Sequence, residues 1–475
     1  MNKKSKFLKN IKYAFTSQGI SLLLSVLMSL LVPKFLGVEK FGYWQLFIFY
    51  SGYVGLFQFG LSDGVYLKYG GTTYEDLDKS SIGSQFKFSS FSQTGIALLI
   101  IFFALALLSE EKRIFVFIAV AIYLLMNNLW QYLGNIFQAV NETRIYSISV
   151  LIEKLISIIS IVCLILIKID IFEIYIIMCI FAKFIALIYC MYMGKEILFA
   201  KKLPLRLTII ESIYSSKIGI NLMLANVASP LIIGVGRFII DRVWGVNAFG
   251  KFSLSVSLTN FFLQFISQVS MVLFPVLRQS NEEQLKKIYK TINDALAIIM
   301  PMVLLTYIPM KVVLGLWLPE YKISLEYLAL LLPICIYNGK MNMLCITYFK
   351  VLRKEKFLLK ANMIAVGMNL ILSLFGALLL KSIYSIIVFM FLTTAFRSII
   401  SEVYLAKLMK AKVIISIIEE FALVVVFMLD SWYLSSALAF VIYLIVYVMY
   451  LILNYGNLKS TFNFVRSKFA GKATN

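Results

Sequence analysis

The chain of 475 residues is 61% hydrophobic and 15% charged, with a mean hydropathy of +0.89. That excludes an ordinary soluble domain and calls for repeated apolar stretches of bilayer-spanning length. The formal net charge of +21 sits in short basic clusters between apolar runs, which excludes a soluble nucleic-acid-binding domain and fits a membrane orientation signal.

In chain order, residues 1–6 form a basic start, Met1-Asn2-Lys3-Lys4-Ser5-Lys6. The apolar run that follows contains Gln18 and no A-x-A cleavage site, so it reads as a retained first helix. About fourteen spans of bilayer length follow from the hydropathy. The first six lie near 13–33, 43–66, 86–108, 114–138, 146–167 and 171–193. The next six lie near 214–240, 252–275, 290–310, 323–347, 358–380 and 383–406. Two more lie near 413–429 and 432–454. The thirteenth is the weakest, because Glu419 and Glu420 fall inside it; an interfacial helix is the alternative reading.

The loops test the count. With the amino terminus inside, the even-numbered loops and both tails hold about 30 of the 45 Lys and Arg residues, a bias the positive-inside rule predicts. The clearest clusters are Lys201-Lys202 with Arg206, Lys286-Lys287 with Lys290, and Arg353-Lys354 with Lys356. An even number of spans with both termini cytoplasmic is the expectation.

Two stretches repeat. Gly37-Val38-Glu39-Lys40-Phe41-Gly42 and Gly245-Val246-Asn247-Ala248-Phe249-Gly250 share G-V-x-x-F-G. Each lies between two long apolar runs, and the spacing places six spans before the second copy. An internal repeat in a polytopic chain is the mark of a secondary transporter, with two parallel halves related by a pseudo-two-fold axis and a substrate site between them. The expected fold class is all-α and polytopic. Residues 1–200 form one six-helix lobe, 201–410 a second, and 411–475 an extra helix pair with a cytoplasmic tail.

Several chemistries are absent. No G-x-x-x-x-G-K-[ST] phosphate loop occurs; Gly456-Asn457-Leu458-Lys459-Ser460-Thr461 has its ending without its spacing. With no His, imidazole acid–base and metal chemistry are excluded. Cys163, Cys179, Cys190, Cys335 and Cys345 all lie in apolar runs without a C-x-x-C pair, which argues against a disulfide framework or zinc site. No loop is long enough to hold a catalytic domain, so the chain reads as a non-enzyme with no cofactor. Energy input would come from an ion gradient, proton or sodium, or from the substrate itself.

Charges at bilayer depth are expensive and mark cavities or partners. Lys183 and Arg397 fall halfway along spans six and twelve, counterparts in the two halves, and Lys340 lies in span ten. One reading has these cations facing a shared cavity. The other has them snorkelling or pairing with neighbours such as Glu402. Arg237 lies one turn from Asp241, a spacing that suits a structural ion pair. Glu153-Lys154 in span five carries the same ambiguity.

Amides form a second constellation. Asn127, Asn128, Gln131, Asn135 and Gln138 crowd span four, with Asn127, Gln131 and Asn135 on one helix face. Span ten carries Asn338, Asn342 and Thr347 beside Lys340. Amides suit sugar hydroxyls, and they serve interhelical hydrogen bonds equally well. Ser17, Ser21, Ser25 and Ser29 form a stripe suited to close helix packing. Asp63, Asp294 and Glu326 are the acidic candidates for ion coupling.

Leu31-Val32-Pro33-Lys34-Phe35-Leu36-Gly37 with Phe41-Gly42-Tyr43-Trp44, and Leu56-Phe57-Gln58-Phe59-Gly60-Leu61, resemble the start of bacterial polysaccharide transporters. Gly245-Val246 with Phe249-Gly250, then Leu273-Phe274-Pro275, extend the likeness into the second half. The chain is similar to Wzx-type O-antigen or capsule flippases of the multidrug/oligosaccharidyl-lipid/polysaccharide superfamily. That resemblance implies two six-helix lobes around a central cavity, working by alternating access. It implies movement of undecaprenyl-diphosphate-linked oligosaccharide from the inner to the outer leaflet of the bacterial cytoplasmic membrane. A polysaccharide polymerase and a chain-length regulator become expected neighbours. Lys183, Arg397 and Lys340 would meet the diphosphate, and Asn127, Asn128, Gln131, Asn135 and Asn338 the sugars. Gly37, Gly42, Gly245 and Gly250 would serve turns at the outer span ends. A lipid II flippase and an ion-coupled drug antiporter of the same superfamily are the alternatives; a drug antiporter would want acidic cavity residues. A polymerase or acyltransferase lacks the loop and the catalytic cluster.

Overall fold

The computed structural model describes residues 16, 19–278 and 280–456. The basic start, Ser17, Gln18 and residues 457–475, with most of the Gly456 to Thr461 segment, lie outside the described residues, as do the side chains of Phe274 and Pro275. The protein is an all-α polytopic membrane protein; no strand occurs among the described residues. Nine of the described helices are long and apolar enough to cross a membrane. The number rises to eleven when two bent pairs are counted, α1 (Gly19–Leu30) with Val32–Gln58 and Pro319–Leu331 with Ile334–Val351. The fourteen apolar runs exceed this count by three: helix α9, Leu205–Arg278, carries two of them through a single break, the bent pair Gly19–Leu30 with Val32–Gln58 carries two more, and Ile414–Tyr433, with Glu419, Glu420 and Asp430, is not among the eleven.

That break and its partner come from the repeat. Gly37 has φ 69° and ψ 176° inside α2 (Val32–Ser51), and Gly245 has φ 78° and ψ −177° inside α9. Only glycine enters this region without strain, and a Cβ at either position would meet nothing within 4 Å. Conformation alone therefore requires the first glycine of each motif. The second glycines work by packing. A Cβ on Gly250 would stand 2.9 Å from the Cα of Gly42, and one on Gly42 would stand 2.6 Å from the Val246 carbonyl oxygen.

Helix ends differ from the apolar runs in a consistent way. Helix α4 (Lys79–Leu107) begins at Asp78, whose carboxylate accepts from the Ser81 N–H at 2.9 Å. Helix α10 (Glu282–Met302) begins at Asn281, which forms a reciprocal capping box with Gln284. Helix α9 begins right after Pro204, whose carbonyl accepts from the Thr208 N–H. Hydropathy registers the lipid-facing part of a helix, whereas the helix itself starts at its cap, so these starts fall earlier than the runs near 86, 290 and 214.

Contacts divide the chain into two compact units, one of Met1–Pro230 with Val246–Gly250, the other of Leu231–Gly245 with Lys251–Asn475. In the first, α3 (Leu61–Lys68), α4, α5 (Glu111–Ala139), α6 (Thr143–Leu166), α7 (Phe172–Met193) and the short α8 (Lys195–Leu198) supply the packing. Its apolar core gathers Val65, Ile82, Tyr132, Leu133, Phe137 and Cys190.

In the second unit, α11 (Tyr307–Trp317), α12 (Lys322–Leu331), α13 (Ile334–Lys340), a π-helical turn over Met341–Ile346 and α14 (Thr347–Val351) precede α15 (Glu355–Leu378) and α16 (Ile383–Met409). Two closing helices follow, α17 (Ile414–Tyr433) and α18 (Ser436–Leu453). This last pair is bonded to the rest of the unit along one face. Pro301 inside α10 lacks the N–H that the Ala297 carbonyl would accept from, and the Tyr450 hydroxyl donates to that carbonyl at 3.0 Å. Tyr447 donates to the Ile298 carbonyl at 2.9 Å and Tyr443 to the Pro301 carbonyl at 3.0 Å. Three tyrosines on one face of α18 thus satisfy backbone that has no water to turn to.

Candidate functional site

In the first unit, α7 carries Lys183 inward against Glu153 of α6, with Nζ 2.6 Å from Oε2. Lys154 takes the other carboxylate oxygen at 3.1 Å. The Lys183 ammonium also lies 3.7 Å from the centre of the Trp130 ring, whose Nε1 donates to Ser149 at 3.0 Å. One carboxylate and two ammoniums leave this buried cluster with one positive charge. The π face of Trp130 stabilises Lys183 where water does not reach it.

The amides of α5 form two hydrogen-bonded groups. Asn128 is fully buried; its Nδ2 donates to the Val54 carbonyl at 2.9 Å and to Gln93 Oε1 at 2.8 Å. Asn127 donates weakly to Asn128 at 3.4 Å. Gln131 donates to Asn135 at 3.0 Å, and Asn135 donates to the Ser62 hydroxyl at 2.7 Å. These contacts join α5 to α3, α4 and the 3-10 turn Val54–Gln58.

That network borders a cavity of about 440 Å³ within the first unit, lined by Gln58, Gln93, Ser92, Lys217, Phe59 and Phe88 among others. None of these is among the candidate binding residues of the sequence, although Gln58 and Phe59 lie in the family-like stretch Leu56 to Leu61. The available signal was faint: isolated glutamines, Gln58 and Gln93, in two different apolar runs. Gln93 is 2% exposed and donates to the Phe57 carbonyl at 2.8 Å while accepting from Asn128, so it couples the cavity wall to the amide face.

In the second unit, Arg397 of α16 is buried and bridges two amides. Nη1 donates to Asn362 Oδ1 at 3.2 Å and Nη2 to Asn338 Oδ1 at 2.6 Å. Lys340 has different company. Its Nζ lies 2.9 Å from Glu402 Oε1 and 2.6 Å from Glu420 Oε1. The sequence offers Glu402 as a neighbour for Lys183 or Arg397, and the structure gives it to Lys340 instead; Glu420 registers in the sequence only as a blemish in span thirteen. Arg237 donates to Ser253 at 2.9 Å.

The first repeat motif carries charge pairs outside the apolar runs. Lys112 meets Glu39 at 2.6 Å, and Lys40 pairs with Asp170, whose carboxyl the ammonium holds below the usual carboxylate range. No group of three or more metal-ligating side chains occurs among the described residues.

The fold is shared with solved transporters. An inward-facing multidrug resistance MATE family transporter of the MOP superfamily aligns with TM-score 0.59 at 12% identity, over 81% of this chain and 94% of that one. The lipid II flippase MurJ, in an inward closed conformation, aligns with TM-score 0.60 at 13% identity, over 97% of this chain and all of that one. A MATE transporter of Vibrio cholerae, VcmN, aligns with TM-score 0.56 at 15% identity, over 86% and 99% of the two chains. No curated protein sequence matches the chain. The family model described as polysaccharide biosynthesis protein matches residues 7–281, more than half of the length. The chain therefore belongs to the polysaccharide biosynthesis protein family and carries the fold of the MOP superfamily transporters.

Proposed function

We propose that the protein is a flippase for polyprenyl-diphosphate-linked oligosaccharides, moving repeat units across the bacterial cytoplasmic membrane for O-antigen, capsule or exopolysaccharide assembly by alternating access. One observation carries the reading. In a member of the polysaccharide biosynthesis family, a cavity combines a cation at Lys217, amides at Gln58 and Gln93, and aromatic faces at Phe59 and Phe88. A phosphorylated lipid with a sugar head offers the matching groups: an anion, hydroxyls and an apolar tail. Buried Arg397, and Lys183 with its half-buried neighbour Lys154 around one carboxylate, support the same preference for an anion. Lys340 is held by two carboxylates and stands apart from this reading. Both termini are proposed to face the cytoplasm. A polysaccharide polymerase and a chain-length regulator remain the proposed partners beside the lipid itself.

The lipid II reading shares the diphosphate chemistry and is favoured by the fold match to MurJ over nearly the whole chain. A drug antiporter would need carboxylates where these cations stand. Purified protein in liposomes, loaded separately with a polyprenyl-diphosphate oligosaccharide, with lipid II and with a cationic dye, separates the three. The expected result is protein-dependent exposure of the oligosaccharide lipid to an external lectin. Efflux of the dye alone would overturn the flippase reading, and movement of lipid II alone would reassign its substrate.

A further inference from the structure

The second unit buries an unequal number of opposite charges at one point. Lys340 comes from α13, Glu402 from α16 and Glu420 from α17, with side chains 1%, 3% and 2% exposed. A single ammonium can donate to both carboxylates at once, yet it neutralises only one of them. Two carboxylates within hydrogen-bond reach of the same Nζ, cut off from water, do not both stay ionised at low cost. The balance is restored when the pair shares one proton, and such a proton belongs to the pair rather than to one residue.

Among the described residues, Lys340 is the cation paired with Glu402 and Glu420. From α17, Ser416 donates to Glu420 Oε1 at 3.3 Å, and Glu419 accepts from Asn454 at 3.0 Å. From α18, Tyr450 lies within electrostatic reach of Glu420 and Glu419, but its hydroxyl is committed to Ala297. From α16, Arg397 faces Cys345, as Lys340 and Glu402 do, while its guanidinium holds Asn338 and Asn362. Tyr289 of α10 lies within electrostatic reach of Glu402, and Tyr337 of α13 within reach of both carboxylates. The hydroxyls of Tyr289 and Tyr337 are buried without a hydrogen-bond partner among the described residues. Two such hydroxyls beside a buried charge cluster are costly unless the cluster changes its hydrogen bonding. The helix bearing Lys340 also leaves α geometry at once, in the π-helical turn Met341–Ile346, a distortion that recurs at functional sites.

We propose that Lys340, Glu402 and Glu420 form a proton-binding site that couples transport to a proton gradient. A proton from the aqueous phase adds to a carboxylate oxygen of the pair; the Lys340 ammonium keeps the remaining carboxylate, and release reverses the step. A sodium ion is the wrong ligand here, because the ammonium already occupies the centre. The coupling rests on the transport reading above, whereas proton binding does not.

The test uses the full-length protein in nanodiscs and in liposomes. Infrared difference spectra between acidic and alkaline buffer should contain a protonated carboxyl band that Glu402→Gln and Glu420→Gln each abolish. Each variant leaves a neutral pair with Lys340 and should elute and melt as a folded protein. In liposomes, a pH difference of one unit should change the wild-type distribution of the oligosaccharide lipid by up to about tenfold. It should change that of either Gln variant by about onefold. A spectrum without that band overturns the proton site. A band with gradient-insensitive transport overturns the coupling. A band in a protein that moves no lipid at all leaves the proton site standing and overturns the transport reading instead.

Discussion

The Tyr450 hydroxyl donates to the Ala297 carbonyl at 3.0 Å, the carbonyl that Pro301 leaves without its helical N–H. Tyr450→Phe removes the donor and keeps the ring. The expected cost is about 0.6–2 kcal/mol, the range for interhelical bonds in membranes. Thermal unfolding of the purified variant measures it. Adding Pro301→Ala restores the helical N–H, so the double variant should recover most of the loss. Absence of recovery would mean that α18 is held by something other than this bond.

The repeat glycines separate by mechanism. Gly37→Ala and Gly245→Ala each place a Cβ in open space but force it into a backbone region that essentially only glycine adopts. Each should cost about 1–3 kcal/mol of stability. Larger residues at these two positions should cost little more than alanine, because nothing crowds them. At Gly42 and Gly250 the reverse holds: the cost should climb with side-chain size, because backbone stands within 3 Å. A melting series of Ala, Val and Leu at all four positions reads out the two patterns.

Glu153 is the counter-charge of a buried lysine. Glu153→Gln leaves Lys183 and Lys154 without it and should destabilise by about 3–5 kcal/mol. Combining Glu153→Leu with Lys183→Met, which replaces the pair by apolar volume, should come out near neutral in stability. If the double variant also retains transport, Lys183 is a packing element and the positive charge that meets the substrate lies elsewhere.

Arg397 reaches two amides with one planar fork. Arg397→Lys keeps the charge but not the span between Asn338 and Asn362. Transport should fall in both Arg397→Lys and Arg397→Gln, further in the latter, with folded protein in each case. Equal transport in wild type and Arg397→Gln would remove this residue from the mechanism.

Topology is checked by cysteine labelling. Positions 39 and 247 should label from outside, and 202 and 354 only from inside. Cys163 is exposed, so it must be replaced first. Glu39 is bonded to Lys112, which makes Asn247 the cleaner outer site.

Much of the architecture was legible because it depends on local properties. Apolar length gives helices, and a glycine whose backbone angles no other residue tolerates leaves its mark in both copies of the motif. The pairing of charges was not legible. Lys183 and Glu153 stand on different helices, as do Lys340 and Glu420, and hydropathy scores each as a separate defect. The amides of span four were visible as one helix face, but Gln58 and Gln93, which extend that face to a cavity wall, lie alone in their runs. Glu420 is the sharpest case: the residue that makes α17 look unfit for a membrane is the one that binds it to Lys340.

The early start of α9 has a consequence for where its charges work. From Leu205 to Pro230, within the first unit, the helix has no non-helical residue, and at 1.5 Å per residue it measures roughly 39 Å. A hydrocarbon layer of about 30 Å does not cover all of that. The first turns, which carry Arg206 and Glu211, are therefore expected at the headgroup layer, where the 2.6 Å bond between Lys68 and Glu211 would meet lipid phosphates. Those phosphates compete with Glu211 for the ammonium. The firmness of that contact thus depends on how anionic the surrounding leaflet is, so lipid composition becomes a variable in the protein's behaviour.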